Sequence, residues 1–392
     1  ATLFRRYLVR RKICFVTGTR AEYGLLRPVM NLLKTDSDVV FQLVVTGSHL
    51  SQRHGETVNE IEGDGFTPDA KLTVDLSNDS RVAVAVAMAN TTAQMAETFS
   101  RLAPDLIVVL GDRYEILATA QAALILGIPV AHIHGGEVTT GAFDDSIRHA
   151  ITKISNLHFV AADDYARRVI QLGEQPNTVF NVGSLGVEIA LSEQLLTQQE
   201  LSATLNLDLT NPILLITHHP TTNSTDSTTS EIAELLAALK SFSFCTIIFT
   251  GANADPGNHA ITEMVNNFVA EDPKKRSAHK SLGQKNYLSL MKICAAVIGN
   301  SSSGIIEAPA FGVPTVNIGS RQDGRLRADS IIDVATNRDQ IKTAIETALS
   351  STWQERCAKQ RMQYRADNTA QRIADTLKTA ETNQQKTFFD IS

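Results

Sequence analysis

The chain has 392 residues, 43% of them apolar and 20% charged, with a formal charge of −6. That length exceeds what one hydrophobic core comfortably serves, so two domains are expected. The negative charge argues against a nucleic-acid partner, and the only basic cluster at the start is too short and too charged to span a membrane.

Residues 1–11 hold Arg5, Arg6, Arg10 and Arg11 and read as a basic leader or cloning remnant. With no secretory signal pattern, a cytoplasmic protein is expected. Cys14, Cys245, Cys294 and Cys357 lack metal-ligand spacing and read as reduced thiols, most of them in apolar runs. An apolar strand at 12–17 runs into Gly18-Thr19-Arg20, and a helix at 25–34 carries Pro28 near its start. A strand at 41–46 ends in Gly47-Ser48-His49, and helical periodicity fills 81–102. The strand 106–110 ends in Gly111-Asp112-Arg113. A helix at 116–126 leads to a strand at 130–133, which ends in His134-Gly135-Gly136-Glu137. Helix 144–155, strand 157–161, helix 163–172 and strand 178–182 follow, and Gly183-Ser184-Leu185-Gly186 is a hinge candidate.

A linking helical stretch at 187–205 precedes a strand at 212–217, which ends in His218-His219-Pro220. The Thr/Ser-rich segment 221–230 reads as a loop. Then come helix 231–239, strand 246–250, helix 261–269, a basic loop at 274–285 and a short helix at 287–292. A strand at 295–298 enters Gly299-Asn300-Ser301-Ser302-Ser303-Gly304, with a helix pattern through Phe311 and a strand at 315–318. Helices at 338–349 and 369–382 close the chain. Such alternation means an α/β fold with parallel, doubly wound sheets, whose functional loops lie beyond the carboxyl ends of the strands. The two halves share this rhythm. The expected domains are 12–183 and 184–368 around a common cleft, with a helix and tail at 369–392 returning to the first.

Walker A, Gly-x-Gly-x-x-Gly and Gly-x-Ser-x-Gly motifs are absent. Asp36-Ser37-Asp38 spells the Asp-x-Asp of some metal-dependent glycosyltransferases, but it lies on the wrong side of the sheet. The small residues at 299–304 sit between strand and helix, where free N–H groups and the helix dipole favour an anion. Glu307, a turn later, is placed for vicinal hydroxyls such as a ribose diol. Arg20 opens a helix and can clamp a phosphate. Asp112 beside Arg113 suits proton transfer next to an anionic substrate, or else a structural ion pair. His132, His134 and Glu137 have two readings: a zinc site, or His134 or Glu137 as acid/base, with the glycines letting a ligand approach the backbone. Asp144 and Arg148 are four apart on one helix face, as a catalytic pair or as a cap with a solvated pair. His219, Asn253, Tyr287, Ser301, Ser302, Glu307 and Arg321 together describe a nucleoside diphosphate site.

These motifs resemble the UDP-N-acetylglucosamine 2-epimerases, most of all the hydrolysing branch that forms N-acetylmannosamine for sialic acid and capsule synthesis. The markers are Thr17-Gly18-Thr19-Arg20-Ala21-Glu22-Tyr23, Gly111-Asp112-Arg113, His134-Gly135-Gly136-Glu137, Asp144-Asp145-Ser146-Ile147-Arg148-His149 and Gly299-Asn300-Ser301-Ser302. The resemblance implies the glycosyltransferase-B architecture, with two Rossmann-like domains and an interdomain cleft. It implies Tyr287 against uracil, Asn253 nearby, Glu307 on the ribose, and Ser301 and Ser302 on the phosphates. Arg20, Arg113, His219 and Arg321 would surround the diphosphate or its sugar. The candidate catalytic set is Asp112, His134, Glu137, Asp144, Arg148 and His219. Family members often carry glutamate at the position of His134, so the second acid/base is His134, Glu137 or Asp144. The implied reaction is anti elimination of UDP to a glycal, with Asp112 taking the C2 proton, then rehydration, without metal or cofactor. The partner is a UDP-sugar, and a homodimer or homotetramer is implied. The alternatives are UDP-2,4-diacetamido-2,4,6-trideoxyglucose of the legionaminic acid route as substrate, a non-hydrolysing epimerase, and a non-catalytic UDP-sugar-binding regulator.

Overall fold

The computed structural model describes residues 10–52, 55–76, 80–138, 143–192, 194–219, 225–251, 259–360, 362–364, 367–382 and 386–391, without the side chains of 225–228 and 259–260. The described residues form two compact units. The first holds a parallel sheet of seven strands: β1 (Arg11–Thr17), β2 (Val39–Thr46), β3 (Ala70–Leu72), β4 (Leu106–Leu110), β5 (Val130–Ile133), β6 (Leu157–Val160) and β7 (Val179–Asn181). Their order is β3-β2-β1-β4-β5-β6-β7. The second unit holds six parallel strands: β8 (Ile213–Thr217), β9 (Thr246–Thr250), β10 (Arg276–His279), β11 (Ala296–Gly299), β12 (Thr315–Ile318) and β13 (Ile331–Val334). Their order, β10-β9-β8-β11-β12-β13, repeats that of the first six strands. In each sheet the order reverses between two central strands, β1 and β4 or β8 and β11. Open α/β sheets bind ligands beyond the carboxyl ends at such a point.

Strand alternation builds a core on each face of the sheets. On β4, Leu106, Val108 and Leu110 enter one apolar cluster and Ile107 and Val109 the other. On β1, Ile13 and Phe15 face the first cluster, Cys14 and Val16 the second. All four cysteines are buried thiols.

The chain passes from the first unit to the second between Glu188 and Ile189, and the helix Thr369–Thr379 belongs to the first again. Ala370, Ile373, Ala374 and Leu377 of that helix complete the cluster around Ile13 and Phe15. Arg10 and Arg11, read from the sequence as part of a leader, are structural. Arg11 opens β1 and donates to the carbonyls of Leu377 and Ala380, both at 2.8 Å, where the helix dipole favours a cation. Arg10 donates to the Val39 carbonyl at 2.7 Å.

Other expectations are also corrected. The basic loop 274–285 contains β10, whose Arg276 is buried. Its guanidinium donates to the Phe268 carbonyl at 2.8 Å and to Glu271 at 3.0 Å, with the Phe268 ring 3.9 Å away. The linking stretch is two helices, Leu185–Ser192 and Gln198–Leu205, the second started by a Thr197–Glu200 capping box. Leu185 and Gly186 of the hinge candidate thus lie in a helical first turn. The loop read at 221–230 is helical from Thr225, within the helix Thr225–Leu239; residues 221–224 lie outside the described ones. Among the described residues no helix is long and apolar enough to cross a membrane.

Candidate active site

Asp112 follows β4, and its carboxylate accepts from Nη2 of Arg148 on the helix Phe143–Ile154. Arg148 is 4% exposed, and its Nε and Nη1 have no hydrogen-bond partner among the described residues. The spacing pointed to Asp144 as the neighbour of Arg148; the ion pair the fold makes is with Asp112 instead. Asp144 lies in the first turn of the same helix, partly exposed.

His134 follows β5, the neighbour of β4. Its φ is +66°, a left-handed conformation unusual for a residue with a side chain. Its Nδ1 lies 2.6 Å from Glu137 Oε1, while its buried Nε2 has no partner among the described residues. An imidazole donating from Nδ1 to a carboxylate presents a basic Nε2, so Glu137 reads as the group that sets the tautomer.

The zinc reading does not fit. His132 is fully buried, with Nε2 donating to the Gly111 carbonyl at 2.8 Å and Nδ1 3.1 Å from the Thr152 hydroxyl. Burial drives its pKa down to about 3, so it is a neutral core histidine holding β5 to the turn after β4. Among the described residues no group of His, Cys, Asp and Glu is placed to hold a metal. The two glycines serve packing as well. A Cβ at Gly136 would lie 2.4 Å from the Tyr165 carbonyl oxygen, and one at Gly135 2.9 Å from the Thr152 hydroxyl. They let the loop seat closely on Tyr165 and Thr152.

Arg20 is 45% exposed and pairs with Glu60 at 2.8 Å. Arg113 donates from Nε to Glu115 at 3.0 Å. Asp36 accepts from Asp38 N–H at 2.9 Å and pairs with Lys378 at 3.0 Å, before β2 begins and so at the end of the sheet away from these loops.

In the second unit the turn after β11 is organised by Asn300, which is 1% exposed. Its side chain accepts from the His219 N–H at 2.7 Å and donates to the His219 carbonyl at 2.8 Å. Its own carbonyl accepts from Arg321 at 3.0 Å and from Gln322 at 2.8 Å. One residue thus ties the turns after β8, β11 and β12 together, through its side-chain amide and its backbone carbonyl, and it was not itself singled out from the sequence. A chain of hydroxyls continues from there. Ser301 Oγ lies 2.9 Å from Ser303 Oγ, which lies 2.7 Å from the Tyr287 hydroxyl. Ser302 is partly exposed at the start of the helix. His218 is buried, and burial first, then His219 and Arg321, push its pKa down to about 4. Asn253 lies outside the described residues.

The helix after the turn is shorter than its sequence pattern. It runs Ser302–Ile306, and a 3₁₀ turn, Ala308–Phe311, follows. Pro309 cannot donate to the Ile305 carbonyl, so the α-helical ladder stops there. Glu307 sits at the junction of the two turns. Gly299, with φ +134°, allows β11 to approach β8: a Cβ there would lie 1.9 Å from the Thr217 carbonyl oxygen. Gly299→Ala is expected to lower the Tm by roughly 5–10 °C, read by thermal melting. An unchanged Tm would contradict this close approach.

Two doubly wound sheets, each with polar side chains gathered at its central turns, define an α/β protein whose ligand sites lie beyond the carboxyl ends of its strands. The chain belongs to the UDP-N-acetylglucosamine 2-epimerase family, whose model matches residues 31–378. It is 43% identical over 328 residues to the GDP/UDP-N,N'-diacetylbacillosamine 2-epimerase (hydrolyzing) of Campylobacter jejuni, covering 84% of this chain and 85% of that one. It is 41% identical to polysialic acid biosynthesis protein P7 of Escherichia coli, covering 86% and 85%. Among solved structures it is similar in fold to the UDP-GlcNAc 2-epimerase of Neisseria meningitidis bound to UDP-GlcNAc. The TM-score is 0.79 at 17% identity, over 93% of this chain and 99% of that chain.

Proposed function

We propose that the chain hydrolyses and epimerises a UDP-linked 2-acetamido sugar, converting UDP-N-acetylglucosamine and water to N-acetylmannosamine and UDP. The observation that carries this reading is the placing of two proton-transfer groups after adjacent strands. Asp112 follows β4 and the His134–Glu137 dyad follows β5. Inversion at C2 needs a base on one face of the sugar and an acid on the other. Asp112 removes the C2 proton as UDP leaves C1, and His134 Nε2 returns a proton from the opposite side. Asp144 is the remaining candidate for that second role. Arg148, with two buried donors unused by the described residues, holds the Asp112 carboxylate in place and offers contacts to the sugar. In the second unit, Ser301 and Ser302 take the phosphates, Glu307 the ribose, and Tyr287 and Asn253 the uracil. Arg20, Arg113, His219 and Arg321 stabilise the leaving diphosphate. No step needs a metal or a redox cofactor. A cytoplasmic homodimer or homotetramer goes with this reading.

A second reading takes UDP-N,N'-diacetylbacillosamine, the UDP-2,4-diacetamido-2,4,6-trideoxyglucose of the sequence analysis. The name of the Campylobacter jejuni relative favours it. Proton NMR of the protein with each UDP-sugar in D2O, with EDTA present, separates the readings. Release of UDP and free N-acetylmannosamine carrying deuterium at C2 is the expected result. Turnover of the diacetamido sugar alone would move the substrate to the second reading. A UDP-linked manno product would place the chain among non-hydrolysing epimerases.

A further inference from the structure

The turn after β1 and the turn after β4 meet where the strand order reverses. A helix leaves each, Arg20–Lys34 and Tyr114–Leu126, and the two pack on opposite faces of the sheet. Each carries a glutamate in its first turn, Glu22 and Glu115, which are 6% and 0% exposed. Each uses one carboxyl oxygen: Glu22 Oε2 accepts from the Gly18 N–H at 2.8 Å, and Glu115 Oε1 from Arg113 Nε at 3.0 Å. The other oxygens, Glu22 Oε1 and Glu115 Oε2, are buried with no hydrogen-bond partner among the described residues. A Cβ at Gly18 would lie 3.5 Å from both Glu22 Oε2 and Glu115 Oε1, so these two oxygens are at most twice that distance apart.

One cation, Arg113, serves this pair, and its side chain is 42% exposed while both glutamates are sealed. Two ionised carboxylates against one guanidinium would leave a buried charge uncompensated, so the pair holds a proton. Glu22 is the holder. Burial first, then the charge of Glu115, raise its pKa to about 8, against the pull of Arg113 and the Gly18 N–H, and Asp112 adds to the rise. Burial pulls the Arg113 guanidinium down, but Glu115 and Glu22 outweigh it, so it stays charged throughout. His49, in the packed turn after β2, is held neutral by burial down to about 4. Arg20, on the same helix as Glu22, points to Glu60.

We infer that Glu22 is a proton-holding positioning residue for the nucleotide site: protonated, it leaves Glu115 to aim Arg113 at the diphosphate, and ionised, it weakens that hold. The inference rests on the UDP-sugar reading above. Its sign follows from linkage. An anion at Arg113 raises the proton affinity of the pair, so binding takes up a proton. Affinity is then full where Glu22 is protonated and falls as pH rises past its range.

The test is calorimetry with UDP between about pH 7.5 and 9 on the whole chain and on Glu22→Gln, which keeps the shape and cannot ionise. The natural chain should lose roughly five- to tenfold in affinity across that range, and near pH 8.5 its binding heat should depend on buffer ionisation, reporting proton uptake. Glu22→Gln should bind with a flat profile. pH-independent binding by the natural chain overturns the inference whatever the variant does, so a variant that fails to fold leaves it testable. A variant that keeps the same alkaline fall places the proton elsewhere and overturns it too. No UDP binding at any pH overturns the nucleotide site itself, an outcome distinct from flat binding.

Discussion

Asp112→Asn should lower kcat by roughly 10³-fold while changing the Kd for UDP by less than about threefold. Asparagine keeps the shape but cannot accept the C2 proton. The diphosphate groups of the second unit are untouched, so nucleotide binding should survive. Stability is a separate effect. The asparagine oxygen can still accept from Arg148 but brings no charge to a buried guanidinium, so some loss of stability is expected. Turnover is therefore measured well below the lowered Tm, beside a UDP titration. Unchanged kcat would refute the role of Asp112; loss of UDP affinity in step with kcat would make it a binding residue.

His134→Asn should lower kcat by about 10²- to 10³-fold, and Glu137→Gln by only about tenfold. Asparagine is chosen because it tolerates the positive φ of this position better than alanine does. The order of the two effects carries the argument. If the imidazole exchanges the proton and Glu137 only orients it, the amide of glutamine still accepts the Nδ1–H and most activity remains. The opposite order would make Glu137 the acid/base and His134 its support.

The central strands were legible because they are buried on both faces and read as unbroken apolar runs, as at 12–17 and 106–110. The edges were not. β3 (Ala-Lys-Leu) and β10 (Arg-Ser-Ala-His) are short and polar, and β13 has only four residues. A strand with one neighbour needs no apolar face on both sides, so its pattern is weak. At the candidate site, the placing of Asp112 and His134 after strands was readable from the strand–turn rhythm. Their partners were not. Arg148 reaches Asp112 across 36 residues, and spacing within one helix pointed to Asp144. Glu22 stood within a quoted motif without a role of its own, and Glu115 was not singled out. Only the meeting of two turns at the reversal of strand order makes them a pair. Gly135 and Gly136 invited a ligand in the sequence, and in three dimensions they let the loop seat closely on Tyr165 and Thr152.

The helix Thr369–Thr379 completes a core whose last strand, β7, ends at Asn181. During synthesis the first sheet therefore emerges with only part of this cluster closed, by Leu26, Met30 and Leu33 of the helix Arg20–Lys34, while about 180 more residues are translated, roughly 10–35 s at common elongation rates. A chain stopped within the second unit leaves the first without Ala370, Ile373, Ala374 and Leu377, so its core closes only after the second unit has been made.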